Sequence, residues 1–192
     1  MMSRFTKTII AVNILVFVAQ HTLATSFTIN FLLYWPDVLD GKIWQILTHG
    51  FMHANLGHIL GNMVVLLIYG LKLEPVIEDG GRWQFPFLYV MSILGSALGV
   101  LIFGFDEPTL GASGAVIGVI VACITYARSL GYKWTMLGAS PIFFLIYIGI
   151  TTFTTEGISV GGHLGGAIVG GVCGWMLARN DPGKREYSTH EW

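Results

Sequence analysis

Apolar residues in this chain fall into six long runs separated by short polar breaks, at roughly 8–24, 54–73, 84–104, 112–129, 139–153 and 161–178. A bilayer core takes about 20 mostly apolar residues per helix, fewer where neighbouring helices shield it. The pattern therefore predicts an all-α polytopic membrane protein, a six-helix bundle forming one domain over residues 1–192. Runs two, four and six carry His, Asn or Ser near their starts, so they do not face lipid on every side. The fifth is short and interrupted near its start by Pro141. Between runs one and two, "FLLYWPDVLDGKIWQILTHGFMH" is too apolar for a free loop and too broken to span. With Tyr34, Trp35 and Trp44 at hand, it is expected to lie in the outer leaflet.

Composition agrees with the pattern. Hydrophobic residues make up 54% and charged residues 11%, against about a quarter charged in soluble domains, and mean hydropathy is +0.68. A net charge of −1 gives no basic surface for nucleic acid. Cys123 and Cys173 sit inside apolar runs, as small buried hydrophobes rather than a disulfide framework. The basic-then-apolar N-terminus lacks a small-x-small cleavage site and five more runs follow, so it reads as a retained first span.

Charge sets the orientation. Arg4, Lys7, Lys72, Arg82, Arg128, Lys133, Arg179, Lys184 and Arg185 fall on one side of the bundle and only Lys42 on the other. The positive-inside rule then places both termini in the cytoplasm. Runs two, four and six must all enter from the outer face. Their starts, carrying His53, His58 and Asn62, then Ser113, then His163, share one depth.

Polar groups inside spans are costly and mark function by default. Ser113, in "TLGASGAVIGV", could be a helix-contact serine. Its flanking glycines, however, admit a backbone, and its place at a helix start offers free N–H groups to an oxyanion. A serine nucleophile needs a base, and His163 in "GGHLGG" lies at matching depth. No Asp or Glu occupies the outer halves of the spans, so any such pair is a dyad; Glu156 lies in the loop before run six. His58 and Asn62 are four residues apart, on one helix face, and both are suitable oxyanion donors. His49 and His53 share that spacing and raise a metal alternative, but Gly50, Phe51 and Met52 between them supply no carboxylate to activate water.

Gly162, Gly166, Gly170 and Gly174 recur every fourth residue, and Gly114 and Gly118 form a shorter series. Such faces let helices pack backbone to backbone, which would bring run four against run six.

Taken together, "HGFMHANLGHILGN", "GASG" and "HLGGAIVGG", in that order on runs two, four and six, resemble the rhomboid family of intramembrane serine proteases. The last matches H-x-x-G-x-x-x-G through His163, Gly166 and Gly170. The resemblance implies a six-helix bundle with a wet cavity open outward, in the minimal form without an added cytosolic domain. It implies Ser113 as nucleophile, His163 as general base, and His58, Asn62 and the Ser113 N–H as the oxyanion site. Gly111 would keep the loop before Ser113 tight, Gly114 and His53 would support the site, and Glu74 would tie the cytoplasmic end of run two. Two positions depart from the family: Ile117 stands where an aromatic often packs on the histidine, and Gln45 follows Trp44 where Arg is common. The activity implied is cleavage of transmembrane segments of single-pass proteins, in a bacterial inner membrane, with lipid as surroundings and no metal, cofactor or nucleic acid. A transporter would need polar residues through the full depth, whereas "VIVACI" and "VGGVCGWML" are apolar; a non-catalytic helix-binding relative would lack Ser or His.

Overall fold

The computed structural model describes residues 3–78, 83–131, 140–154 and 157–181. Arg82, Lys133, residue 139, Glu156, Lys184 and Arg185 lie outside the described residues. In chain order come α1 (Arg4–Thr22), the short helices α2 (Thr25–Phe31), α3 (Trp35–Leu39) and α4 (Gln45–Thr48), and a 3-10 turn at His49–Phe51. Then follow α5 (Leu56–Glu78), α6 (Gln84–Phe103), α7 (Ser113–Ser129), α8 (Ser140–Thr154) and α9 (Val160–Arg179). Each apolar run corresponds to one long helix. By length and composition α1, α5, α6 and α9 can cross a membrane, while α7 and most of α8 are shorter apolar helices. Leu15, Phe87, Phe103, Phe143 and Ile168 remain exposed around the bundle, as suits a surface solvated by lipid. A helix satisfies its backbone amides internally, the condition for crossing hydrocarbon. The protein is an integral membrane protein.

Pro141 does not interrupt α8. It sits in the first turn, where its missing N–H has no intrahelical acceptor to lose and its fixed φ suits the helix.

Glycine places α9 between α6 and α7. On one face, Gly162 and Gly166 abut Gly114, Gly170 meets Gly118, and Gly174 meets Ala122. A second glycine face, outside the four-residue series, sets Gly161 and Gly165 against Gly99 and Gly95 of α6. Ser92 and Ser96 of α6 are both buried and lie where a methyl on Gly118 or Gly114 would go. Small residues thus let three backbones come close, and dispersion and close packing replace the hydrophobic drive that lipid cannot provide. Elsewhere the core is conventional: Leu66, Tyr69 and Leu73 of α5 meet Phe85, Leu88 and Ile93 of α6 and Val119 and Ile120 of α7.

Two carboxylates join helices at the other end of the bundle. Glu74 is 3% exposed, and accepts from Phe5 N at 2.9 Å, Thr6 N at 2.7 Å and Thr6 Oγ1 at 2.7 Å. It caps the α1 N-terminus, where free N–H groups and the dipole favour an anion. One turn on, Glu78 accepts from Trp83 N and Phe85 N and does the same for α6.

The α1–α5 connection is a set of short helices folded against the bundle. The buried Gln45 side chain accepts from Tyr34 N at 3.1 Å and donates to Asn30 O and Asp37 Oδ2. Trp44 Nε1 donates to Asn30 O, and Trp35 Nε1 to Ala97 O of α6. The Gln45 amide therefore fastens this segment. Leu33 and Thr109 exchange paired backbone hydrogen bonds of 2.8 Å, linking the segment to the loop that precedes α7.

Candidate active site

Ser113 is the first residue of α7, and its N-cap, Ala112, has no side chain to cap the helix. Those first N–H groups stay available for a ligand. His163 lies in the first turn of α9, which is N-capped by Ser159 Oγ accepting from Gly162 N. The α7–α9 glycine contact brings the two together, with His163 Nε2 2.8 Å from Ser113 Oγ. This is hydrogen-bond distance for a serine donating to an imidazole lone pair.

A third contact has no counterpart in the sequence motifs. His163 Nδ1 lies 2.7 Å from Thr152 Oγ1 of α8. Its only trace in the sequence is a Thr-Thr pair inside an otherwise apolar run.

His58 and Asn62 sit in the first two turns of α5, beneath Asn55, whose Oδ1 accepts from His58 N at 2.9 Å as an N-cap. Asn62 is 9% exposed and its Nδ2 has no hydrogen-bond partner among the described residues. His58 Nδ1 faces Ala54 N at 3.5 Å, which leaves Nε2 as the proton-bearing atom. Gly111 has φ +142°, and a Cβ there would lie 2.8 Å from His58 Cε1 and 3.5 Å from Ser113 Oγ. Any larger residue would be strained in backbone and would push into the His58 ring. Gly111 N also donates to His49 O.

Ser113, His163, His58, Asn62 and Gly111 line one cavity of about 840 Å³, together with Ser96, Ile117, Thr151 and the first residues of α5. Its volume falls in the ~300–1,000 Å³ range of small-molecule and peptide-sized sites. Ile117 is buried and lines the same cavity as His163. Gly114, Gly166 and Gly170 lie behind the site in the α7–α9 contact, and Glu74 lies far down α5 at the α1 cap. Among the described residues, no group of three His, Cys, Asp or Glu could hold a metal.

His49 and His53 form a buried layer beside this cavity, each 1% exposed. His49 Nδ1 donates to Gln45 O at 3.1 Å. His53 stands edge-on to His58, with centroids 5.2 Å apart, and its backbone exchanges hydrogen bonds with the Gln20 side chain. Burial holds His49 neutral and pushes its pKa down to about 4; burial, then the charge of His58, pushes His53 down to about 3. Unfolded histidine takes its proton near pH 6.5, so acid favours the unfolded chain. Stability should hold above pH 7 and fall as pH drops from 6.5 towards 4, by on the order of 2–3 kcal/mol per histidine. Thermal unfolding in detergent at pH 7.5 and at pH 5 checks this; an unchanged midpoint would contradict it.

Comparison with known proteins bears on the whole arrangement. A family model described as the Rhomboid domain matches residues 40–180. "RHOMBOID-like protein 6, mitochondrial" of Arabidopsis thaliana is 26% identical over 148 residues, covering 76% of this chain and 47% of that protein. "Rhomboid-like protease 1" of Toxoplasma gondii is 30% identical over 151 residues, covering 74% of this chain and 50% of that protein. "Rhomboid-related protein 3" of Homo sapiens is 33% identical over 93 residues, 48% of this chain and 22% of that protein. The chain spans half or less of the length of these relatives.

Proposed function

The chain belongs to the rhomboid family, and from that premise we propose that it is a serine endopeptidase that cuts transmembrane segments of single-pass membrane proteins. The observation that carries the reading is the 2.8 Å pair of Ser113 Oγ and His163 Nε2 inside a cavity that also holds the Asn62 amide.

The chemistry runs in two halves. Ser113 Oγ attacks the scissile carbonyl carbon while His163 Nε2 takes its proton. The carbonyl oxygen becomes an oxyanion, which the Ser113 N–H, Asn62 Nδ2 and His58 Nε2 stabilise by donation. Collapse of the tetrahedral intermediate breaks the C–N bond, and His163 returns the proton to the leaving amine. Water, deprotonated by His163, then hydrolyses the acyl ester and regenerates Ser113. The Rhomboid-like protease of Toxoplasma gondii supports an enzyme of this kind.

Substrate enters from the side. The cavity wall is built from Leu60, Gly61 and Val64 of α5 and Phe144, Tyr147 and Ile148 of α8. A methyl added at Gly61 would meet nothing within 4 Å, which leaves room along this seam. A peptide bond must leave its helical hydrogen bond before Ser113 can reach it, so Gly or Pro near the cut makes unwinding easier. Six membrane crossings, with every basic residue but Lys42 cytoplasmic and the site opening on the opposite side, complete the arrangement.

Purified protein in liposomes with a labelled single-span substrate should yield two fragments cut near one membrane surface. No product from folded wild-type protein would leave a helix-binding relative as the better reading. Asn62→Ala removes one oxyanion donor and should lower kcat about 10²–10³-fold with KM nearly constant. A rise in KM with kcat unchanged would assign Asn62 to substrate binding instead.

A further inference from the structure

We propose that Thr152 is the positioning residue that fixes the tautomer of His163 and aims its lone pair at Ser113. The inference rests on the protease reading for its kinetic consequence, but not for its structural one.

Three observations combine. First, Thr152 Oγ1 lies 2.6 Å from Ile148 O and 2.7 Å from His163 Nδ1. A hydroxyl has one proton, and the Ile148 carbonyl can only accept. Thr152 therefore donates to Ile148 O, in the back-bonding common for threonine in helices, and accepts from the imidazole. Nδ1 must then carry the ring proton. Second, a neutral imidazole with Nδ1–H has its lone pair on Nε2, and Nε2 is the atom 2.8 Å from Ser113 Oγ. The relay reads Ser113 O–H to His163 Nε2, His163 Nδ1–H to Thr152 Oγ1, Thr152 O–H to Ile148 O, with every donor and acceptor matched. Third, burial singles Thr152 out. Among the described residues of α8, only Pro141 and Thr152 are buried, while Phe143, Ile146, Tyr147 and Ile150 are exposed. Phe144, Leu145 and Ile148 pack part-buried against the core, and Thr152 is the polar side chain that α8 buries more deeply than any of them. The imidazole explains the inward threonine.

A carboxylate does this service in serine proteases of the triad type. Here a neutral hydroxyl does it, which orients the ring without placing a second charge in a membrane. Because α8 carries Thr152, the imidazole's orientation is tied to the seat of that helix.

The test uses the full chain in detergent with ¹⁵N-labelled histidine, comparing wild type, Thr152→Val and Thr152→Ser. Valine keeps the shape and removes the acceptor; serine keeps the acceptor and removes the methyl. Expected for wild type and for Thr152→Ser is a His163 two-bond ¹H–¹⁵N pattern of the Nδ1–H tautomer. For Thr152→Val, the Nε2–H tautomer should appear, and kcat on a single-span substrate should drop about 10-fold with KM unchanged, the effect of losing one hydrogen bond worth ~1–1.5 kcal/mol. An Nδ1–H pattern and unchanged kcat in Thr152→Val would overturn the proposal. So would Thr152→Ser failing as badly as Thr152→Val, since that marks the methyl's packing as the cause. If wild type cuts nothing, the protease reading falls, and the nitrogen spectra still decide the role of Thr152.

Discussion

Ser113→Ala and His163→Ala should each abolish cleavage of a single-span substrate, with losses of about 10⁴-fold or more. In the proposed mechanism the two side chains act as one unit. Without the hydroxyl there is no atom to form the acyl ester, and without the imidazole the hydroxyl keeps its proton. Groups acting as a unit are strongly non-additive. The double variant Ser113→Ala, His163→Ala should therefore be no slower than either single one. Initial rates for the three variants at saturating substrate supply the comparison. Normal cutting by Ser113→Ala would mean that the nucleophile lies elsewhere, and a double variant far slower than both singles would mean that the residues work separately. Both substitutions shrink a side chain at the edge of a cavity, so the folded fraction should not change; thermal midpoints near wild type keep the kinetic reading clean.

Most of the helical frame was legible because its signal is long. A run of apolar residues about 20 long has few readings other than a span, and the observed helix ends lie within about five residues of the apolar runs. The layer of polar groups was legible for a related reason: His58, Ser113 and His163 are rare polar residues in spans, and each lies at the start of its helix. What escaped was whatever depends on rotation about a helix axis or on contacts remote in sequence. Thr152 reaches His163 only because α8 turns that one face inward. Gln45 fastens its segment through Asn30, Tyr34 and Asp37, contacts that no periodicity encodes. The second glycine face was written in the chain as Gly95 and Gly99, but a four-residue repeat of small side chains names no partner. Pro141 shows the opposite error. A proline in an apolar run reads as a break, yet at a first helical turn it is a good starting residue.

Gly166→Val should be the most damaging substitution away from the reacting groups. A methyl at Gly166 would overlap the Gly114 carbonyl, which is backbone and has no rotamer to give way. Overpacking a core usually costs about 1–3 kcal/mol when side chains can shift; against a rigid main chain the helices must part instead. Gly114 directly follows Ser113, and Gly166 is one turn below His163, so the parting falls on the Ser113–His163 contact itself. Misplacement by about 1 Å is enough to lose ~10²-fold in rate, and a loss of about 3 kcal/mol lowers Tm by roughly 6–12 °C for a chain of this size. Both losses should appear together in Gly166→Val, measured by thermal unfolding and by kcat on the same preparation. Gly149→Ala is the matched control: nothing lies within 4 Å of its added methyl, and alanine favours the helix by about 0.5–1 kcal/mol. Its Tm should hold or rise and its rate should stay put. If Gly166→Val behaved like Gly149→Ala, α7 and α9 would not meet backbone to backbone, and the short distance between Ser113 and His163 would lose its cause.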